Sequence, residues 1–220
     1  MTLPNDSILV TPGTGATVAT HLISAKEYQT VIQADSSGHI VGSLPTYCWM
    51  TPAAAVGASK LYLDLFNATG SGKLLDIRGI WAIPKTDVAV AGALGIRLDL
   101  YRTSAVGTGG TVWAYRSATP DVAGGSVTPF DTLNAAIPAQ ITGRYLPTAG
   151  ATIDDWVFVT YSLGEEVATS MAYISQYQNL MPALFWGQKY VLREAEGILL
   201  KQGAVAATGN ISFLIVFTLE

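Results

Sequence analysis

The sequence is poor in the residues that carry most protein chemistry. It has one cysteine, Cys48, and two histidines, His21 and His39, in 220 residues. A single cysteine excludes an internal disulfide and any Cys-based zinc cluster, and it leaves the redox compartment open. The fold must therefore be held by burial alone, and a chain of this length buries roughly 70% of its unfolded surface. Charge is equally scarce. Asp, Glu, Lys and Arg make up 13% of residues, against about 25% in a typical soluble domain.

Long apolar runs are missing as well. The longest uncharged tract, Gln202 to Leu219, is interrupted by Gly203, Thr208, Gly209, Asn210 and Ser212. It reads as a turn and a strand, so no membrane contact is expected. Met1 to Asp6 lacks a charged stretch leading into an apolar one, so no secretory leader is expected either. The sequons at Asn67 and Asn210 are accordingly expected to stay unmodified. The net charge is −4, and Lys189 to Arg193 is the densest cationic stretch, with two charges. Nucleic-acid binding needs a basic patch or stripe, which argues against such a partner.

Catalytic signatures are absent too. There is no His-Glu-x-x-His, Gly-x-Ser-x-Gly or Cys-x-x-Cys. Gly70-Ser71-Gly72-Lys73 has Asn67 where a phosphate loop needs its first glycine, and Leu74 where it needs Ser or Thr. It reads as a β-turn. Asp154 and Asp155 are adjacent, so in a strand they point to opposite faces, and they are read as capping the start of a strand at Trp156. Glu194 and Glu196, with Arg193 and Lys189, read as a surface charge cluster. No enzyme activity, cofactor or metal is expected.

What the chain does have is apolar residues, at 50%, together with 22 glycines and 10 prolines. Short β-branched and aromatic runs between turn signals are the pattern of an all-β sandwich of antiparallel strands. The strands expected include Tyr28 to Ala34, Leu61 to Phe66, Leu74 to Ile83, Ile96 to Tyr101, Val112 to Arg116, Trp156 to Leu163 and Ile211 to Leu219. Strict alternation in Leu74 to Ile83 puts Leu75, Ile77, Gly79, Trp81 and Ile83 on one face. Trp81 and Phe213 are expected in the core. Ile198 to Gln202 and Ile211 to Leu219 are expected to pair as a hairpin across Gly203 to Asn210. The one candidate helix is Glu165 to Tyr177, with a loop as the alternative.

Two segments are expected to lie outside regular structure. Residues 1–25, with Pro4, Pro12, Gly13 and Gly15, read as an extended N-terminal arm ahead of a sandwich over 26–220. Residues 117–152 carry four prolines and read as a long irregular segment, of the kind that is functional or lies against a partner. Candidate assembly contacts are Ile8, Leu9 and Val10, an apolar strip able to add to a neighbour's sheet edge, and Trp186, an interface aromatic after Leu184 and Phe185. Leu63-Asp64-Leu65-Phe66 and Leu98-Asp99-Leu100-Tyr101 echo one another, either as a duplicated hairpin or as strands facing one core.

The arm Val10 to Thr20 with Glu27-Tyr28-Gln29 resembles the opening of small virion proteins of tailed bacteriophages. The run Leu61 to Gly72 followed by Asp76 to Trp81, and the ending Leu192 to Gln202 followed by Ile211 to Glu220, are similar to the same group. The resemblance implies a jelly-roll form of the sandwich and a capsid decoration (cement) protein that clamps the major capsid protein. It also implies a virion location, with assembly in the host cytoplasm. A tail, collar or fibre-attachment protein is the alternative within that group, and a carbohydrate-binding module of a host-recognition fibre is the alternative outside it.

Scarce charge beside abundant apolar residues, with no spanning segment, predicts partners that share the apolar surface, first among them copies of the chain itself. A symmetric homo-oligomer, taken as a trimer, is expected. Sedimentation at micromolar concentration checks this, and a 23.2 kDa monomer is the opposing result.

Overall fold

The computed structural model of the chain describes residues 17–23, 26–32, 44–84, 96–116, 122–163, 178–179 and 190–220. The described residues contain strands and turns and no helix. The candidate helix Glu165 to Tyr177 lies outside them.

Two compact units, Met1–Ser43 and Leu44–Glu220, make up the chain. In the first, β1 (Thr17–Ile23) pairs antiparallel with β2 (Lys26–Ile32), from Thr17↔Ile32 to Ile23↔Lys26. Thr17 pairs with Ile32, Val18 with Val31 and Ala19 with Thr30 in this ladder, a set rich in β-branched residues that suit a pleated backbone. Part of the expected arm is thus a paired strand, and the strand expected from Tyr28 begins at Lys26. The rest of the arm lies outside the described residues.

The second unit is a sandwich of two sheets. The first sheet runs β13 (Gln178–Asn179), β6 (Leu75–Pro84), β16 (Asn210–Leu219), β3 (Thr46–Met50), β10 (Ser126–Pro129), β9 (Ala114–Tyr115). β14 (Tyr190–Leu192) also pairs with β6, and β4 (Ala54–Ala55) with β16. The second sheet runs β12 (Ala149–Leu163), β7 (Ile96–Thr108), β15 (Glu196–Gln202), β5 (Leu61–Asn67), β11 (Ile141–Tyr145), β8 (Thr111–Val112). Among the described residues all pairings are antiparallel except β9 with β10. With β3, β5, β6, β7, β12, β13/β14, β15 and β16 taken as first to eighth, one sheet reads sixth, third, eighth, first and the other fifth, fourth, seventh, second. That interleaving of two Greek keys is the jelly-roll path.

The inner faces interdigitate through Trp49, Leu75, Ile80, Phe213 and Phe217 from one sheet and Leu63, Leu65, Leu98, Leu100 and Leu200 from the other. The two Leu-Asp-Leu echoes flank β15: Leu200 pairs with Leu63 on one side and Leu100 on the other. Strands facing one core account for the echo.

Three expectations are corrected. β15 and β16 do not pair as a hairpin. β15 lies between β5 and β7, and β16 between β3 and β6, so the connection carries the chain from one sheet to the other. Each strand is central to its sheet.

Trp81 is not in the core. Val216 pairs with Gly79 and Phe217 with Ile77, so Arg78 is an extra residue that inverts the alternation. Leu75 and Ile77 before the bulge, and Ile80 and Ala82 after it, all join the core. Trp81 turns outward and its indole lies along Gly79, where a Cβ would sit 2.3 Å from the ring. A second bulge acts on β5. Lys201 pairs with Leu61 and Leu200 with Leu63, leaving Tyr62 to enter the core and donate to Gln202 Oε1 at 2.5 Å.

The segment 117–152 is not one irregular stretch. β10 extends the first sheet beside β3, β11 extends the second beside β5, and β12 opens at Ala149. β11 has the strand alternation, with Ile141, Gly143 and Tyr145 buried, but the surrounding prolines and glycines obscure it. Between β8 and β9 the chain steps from one sheet to the other, and Trp113 at that step closes the open side. Its ring stacks on Phe217 at 5.8 Å, meets Trp49 edge-on at 5.2 Å and lies against Gly143. Asn67 is buried, its amide donating to the carbonyls of Lys73 and Leu192, so that sequon is closed in the folded chain.

These placements separate two aromatics of similar size. Phe213→Ala should cost about 3–5 kcal/mol by urea unfolding, the loss for a large buried side chain. Trp81→Ala should cost less than about 2 kcal/mol. Equal losses would contradict the bulge at Arg78.

Candidate assembly surface

Ile8, Leu9, Val10 and Trp186, the contacts expected from sequence, lie outside the described residues. Within them, the most exposed aromatic is on the loop after β10. Phe130 is 66% exposed and Leu133, three residues on, is 52% exposed. Leu44 is also exposed and lies nearby in the ladder, because Phe130 N–H donates to Thr46 O at 2.9 Å and Thr46 Oγ1 donates to Leu44 O at 3.0 Å.

The loop is braced from within. Asp131 starts a turn in which its carboxylate accepts from Leu133 N–H at 2.9 Å and its carbonyl from Asn134 N–H at 3.0 Å. Three side chains then hold the loop's carbonyls. Tyr47 Oη donates to Ala135 O at 2.7 Å and Tyr115 Oη to the same oxygen at 3.3 Å. Arg116 Nη2 donates to Thr132 O and to Asn134 O. The Arg116 guanidinium also lies 5.4 Å from the Tyr115 ring centre, a cation–π contact. With its polar groups turned inward, the loop leaves Phe130 and Leu133 facing solvent on a fixed backbone. An exposed aromatic on a preorganised loop is the form that interface anchors take.

The sequence marked the surrounding segment 117–152 as functional or lying against a partner but did not single out these residues. The available signal was Pro129-Phe130-Asp131, an aromatic between a strand-stopping proline and a turn-forming aspartate.

The other groups weighed from sequence have structural settings. Gly70 and Gly72 have positive φ, 87° and 63°, and the amide of Gly72 donates to Glu194 Oε1 at 2.8 Å. These glycine amides hold the Glu194 carboxyl below the usual range. Glu196 accepts from Arg193 N–H at 2.8 Å and pairs with Arg102 at 3.6 Å. Asp154 and Asp155 lie inside β12 and not at its start, because the strand opens five residues earlier than Asp154, at Ala149. His39 lies outside the described residues, and His21 is in β1. Burial pushes the Cys48 thiol up and the Tyr62 and Tyr190 hydroxyls up to about 12. Among the described residues no group of three His, Cys, Asp or Glu side chains gathers as a metal site.

One buried carboxyl, Asp64, is strongly shifted. It is fully buried on the outer side of the second sheet, in a cross-strand row Tyr101, Leu199, Asp64, Arg144, Val112. Burial raises its pKa to about 6, against weaker lowering by the Gly107 amide and the Arg144 charge.

No family model matches the chain, and no curated protein or solved structure does either.

The bracing of the loop is testable apart from any partner. Arg116→Ala should speed hydrogen exchange at the Leu133 and Asn134 amides about tenfold, the factor for about 1.4 kcal/mol of lost hydrogen bonding. Exchange in β16 should be unchanged. An unchanged loop would show that Tyr47 and Tyr115 hold it alone.

Proposed function

We propose that the chain is a structural protein of a bacteriophage virion, and in particular a decoration protein that stabilises the lattice of the major capsid protein. The observation that carries this reading is the braced loop presenting Phe130 and Leu133 on a jelly-roll sandwich, a scaffold recurrent in viral shells. The low charge content and the resemblance of the arm and ending to tailed-phage virion proteins support it.

The mechanism is mechanical. Phe130 and Leu133 seat in an apolar recess of a capsid subunit, and contacts between copies of the chain tie neighbouring anchors together. Each contact is moderate, and repetition around the shell converts it to avidity. No catalytic group, cofactor, membrane or nucleic acid takes part.

Purified chain should co-sediment with heads that lack it. The double variant Phe130→Ser/Leu133→Ser should fold with stability within about 0.5 kcal/mol of the parent, as for surface changes, and lose about tenfold or more in attachment. Attachment to tails in place of heads moves the protein to a tail or collar position. Selective binding on a glycan array, with no attachment to particles, overturns the reading in favour of a host-recognition module.

A further inference from the structure

The outer side of the second sheet is buried around Asp64 and Leu199 because the chain covers it there with its own strands. β7 leaves the ladder with β15 after Thr103 and continues to Thr108. Along that course Gly107 N–H donates to Asp64 Oδ1 at 3.2 Å, two strands away from β7 in the sheet. Beyond it, Arg144 Nη1 donates to Gly109 O at 3.1 Å, and Thr111 and Val112 pair with β11 at the far side. β12 returns alongside. Thr148 N–H donates to Thr108 O at 2.8 Å, Ala149 pairs with Thr108, and Gly150 rests on Leu199. Residues 104–110 and 148–152 are therefore a two-stranded strap across β15, β5 and β11.

Glycine permits the close approach. A Cβ on Gly107 would stand 2.8 Å from Ala149 O and 3.1 Å from the Asp64 carboxyl, and one on Gly150 would stand 2.7 Å from Leu199. Beneath the strap Asp64 and Leu199 are buried. Asp64 Oδ2 and Arg144 Nε are both buried without a hydrogen bond. Among the described residues, β15 presents Leu199 opposite Asp64 with the charged Lys201 further along, β7 presents the titratable Tyr101 beyond Leu199, and the strap presents Gly107.

We propose that this strap is a proton-controlled latch: with Asp64 protonated it lies closed on the sheet, and ionisation of Asp64 favours a lifted state in which water reaches the carboxylate. This goes beyond the proposed role in a virion and does not depend on it. A closed strap leaves an ionised Asp64 with one amide donor and a cation that makes no hydrogen bond to it, so charge belongs with the lifted state. The sign follows from the raised pKa. The contribution of Asp64 to closure is complete below the ordinary value of 3.8 and is lost as pH rises through about 6.

The test is hydrogen exchange of the full chain between pH 4 and pH 7, with rates corrected for intrinsic chemistry. Protection of the Gly107 amide should fall about a hundredfold relative to amides of β16, the factor for about two pH units of displaced titration. Asp64→Asn keeps an acceptor for Gly107 and removes the proton, so its strap should stay protected throughout. Gly107→Ala should lift the strap at every pH and return the Asp64 titration, read by carboxyl NMR, towards the ordinary range. A strap equally protected at both pH values in the parent chain overturns the proposal. So does a pH dependence that survives in Asp64→Asn, or a raised Asp64 titration that survives in Gly107→Ala.

Discussion

β15 and β16 follow one another in the chain, sit at the centres of opposite sheets and present their apolar faces to each other, and the rest of the sandwich is arranged around them. Ile198 and Leu200 on β15 and Phe213, Ile215 and Phe217 on β16 are all buried in one core. A hairpin would have placed both strands in one sheet and left an apolar face without a partner. The connection from Gln202 to Asn210 instead crosses between layers. With it crossing, β5 and β7 flank β15, and β3 and β6 flank β16, which is the jelly-roll order.

Scarce charge suggested at first that much apolar surface belongs to contacts between chains. Part of it is used within the chain. The strap from β7 and β12 covers Asp64 and Leu199 on what would otherwise be a solvated sheet face, so the second sheet is buried on both sides over part of its area. The segment between β7 and β12 has a similar economy. It supplies β8 to β11, closes the open side of the sandwich with Trp113, and then projects Phe130 and Leu133 outward. One insertion thus serves as edge cover, plug and presenting loop.

The proposed anchor and the proposed latch differ in what holds them. Around Phe130 the polar groups are satisfied by Arg116, Tyr47 and Tyr115, which makes the loop rigid. Around Asp64 one oxygen and one guanidinium nitrogen are unsatisfied under a thin cover, which stores a preference that a proton can reverse. A rigid anchor suits a static contact, and a strained cover suits a change of state.

The sequence by itself determined the class of the fold, most of its longer strands and the place of Phe213 in its core. These rest on local physics: alternation, β-branched runs, and the breaks made by glycine and proline. It also marked the neighbourhood of the Phe130 loop through its prolines. The tertiary structure alone decided which strands pair, because pairing depends on which distant face buries each apolar row. It decided the fate of Trp81, because an extra residue at Arg78 shows only against its partner strand. It decided that Asp64 lies under a strap. Nothing in Leu63-Asp64-Leu65 says that Gly107, 43 residues away, will fold across it, since that cover is built from non-local contacts.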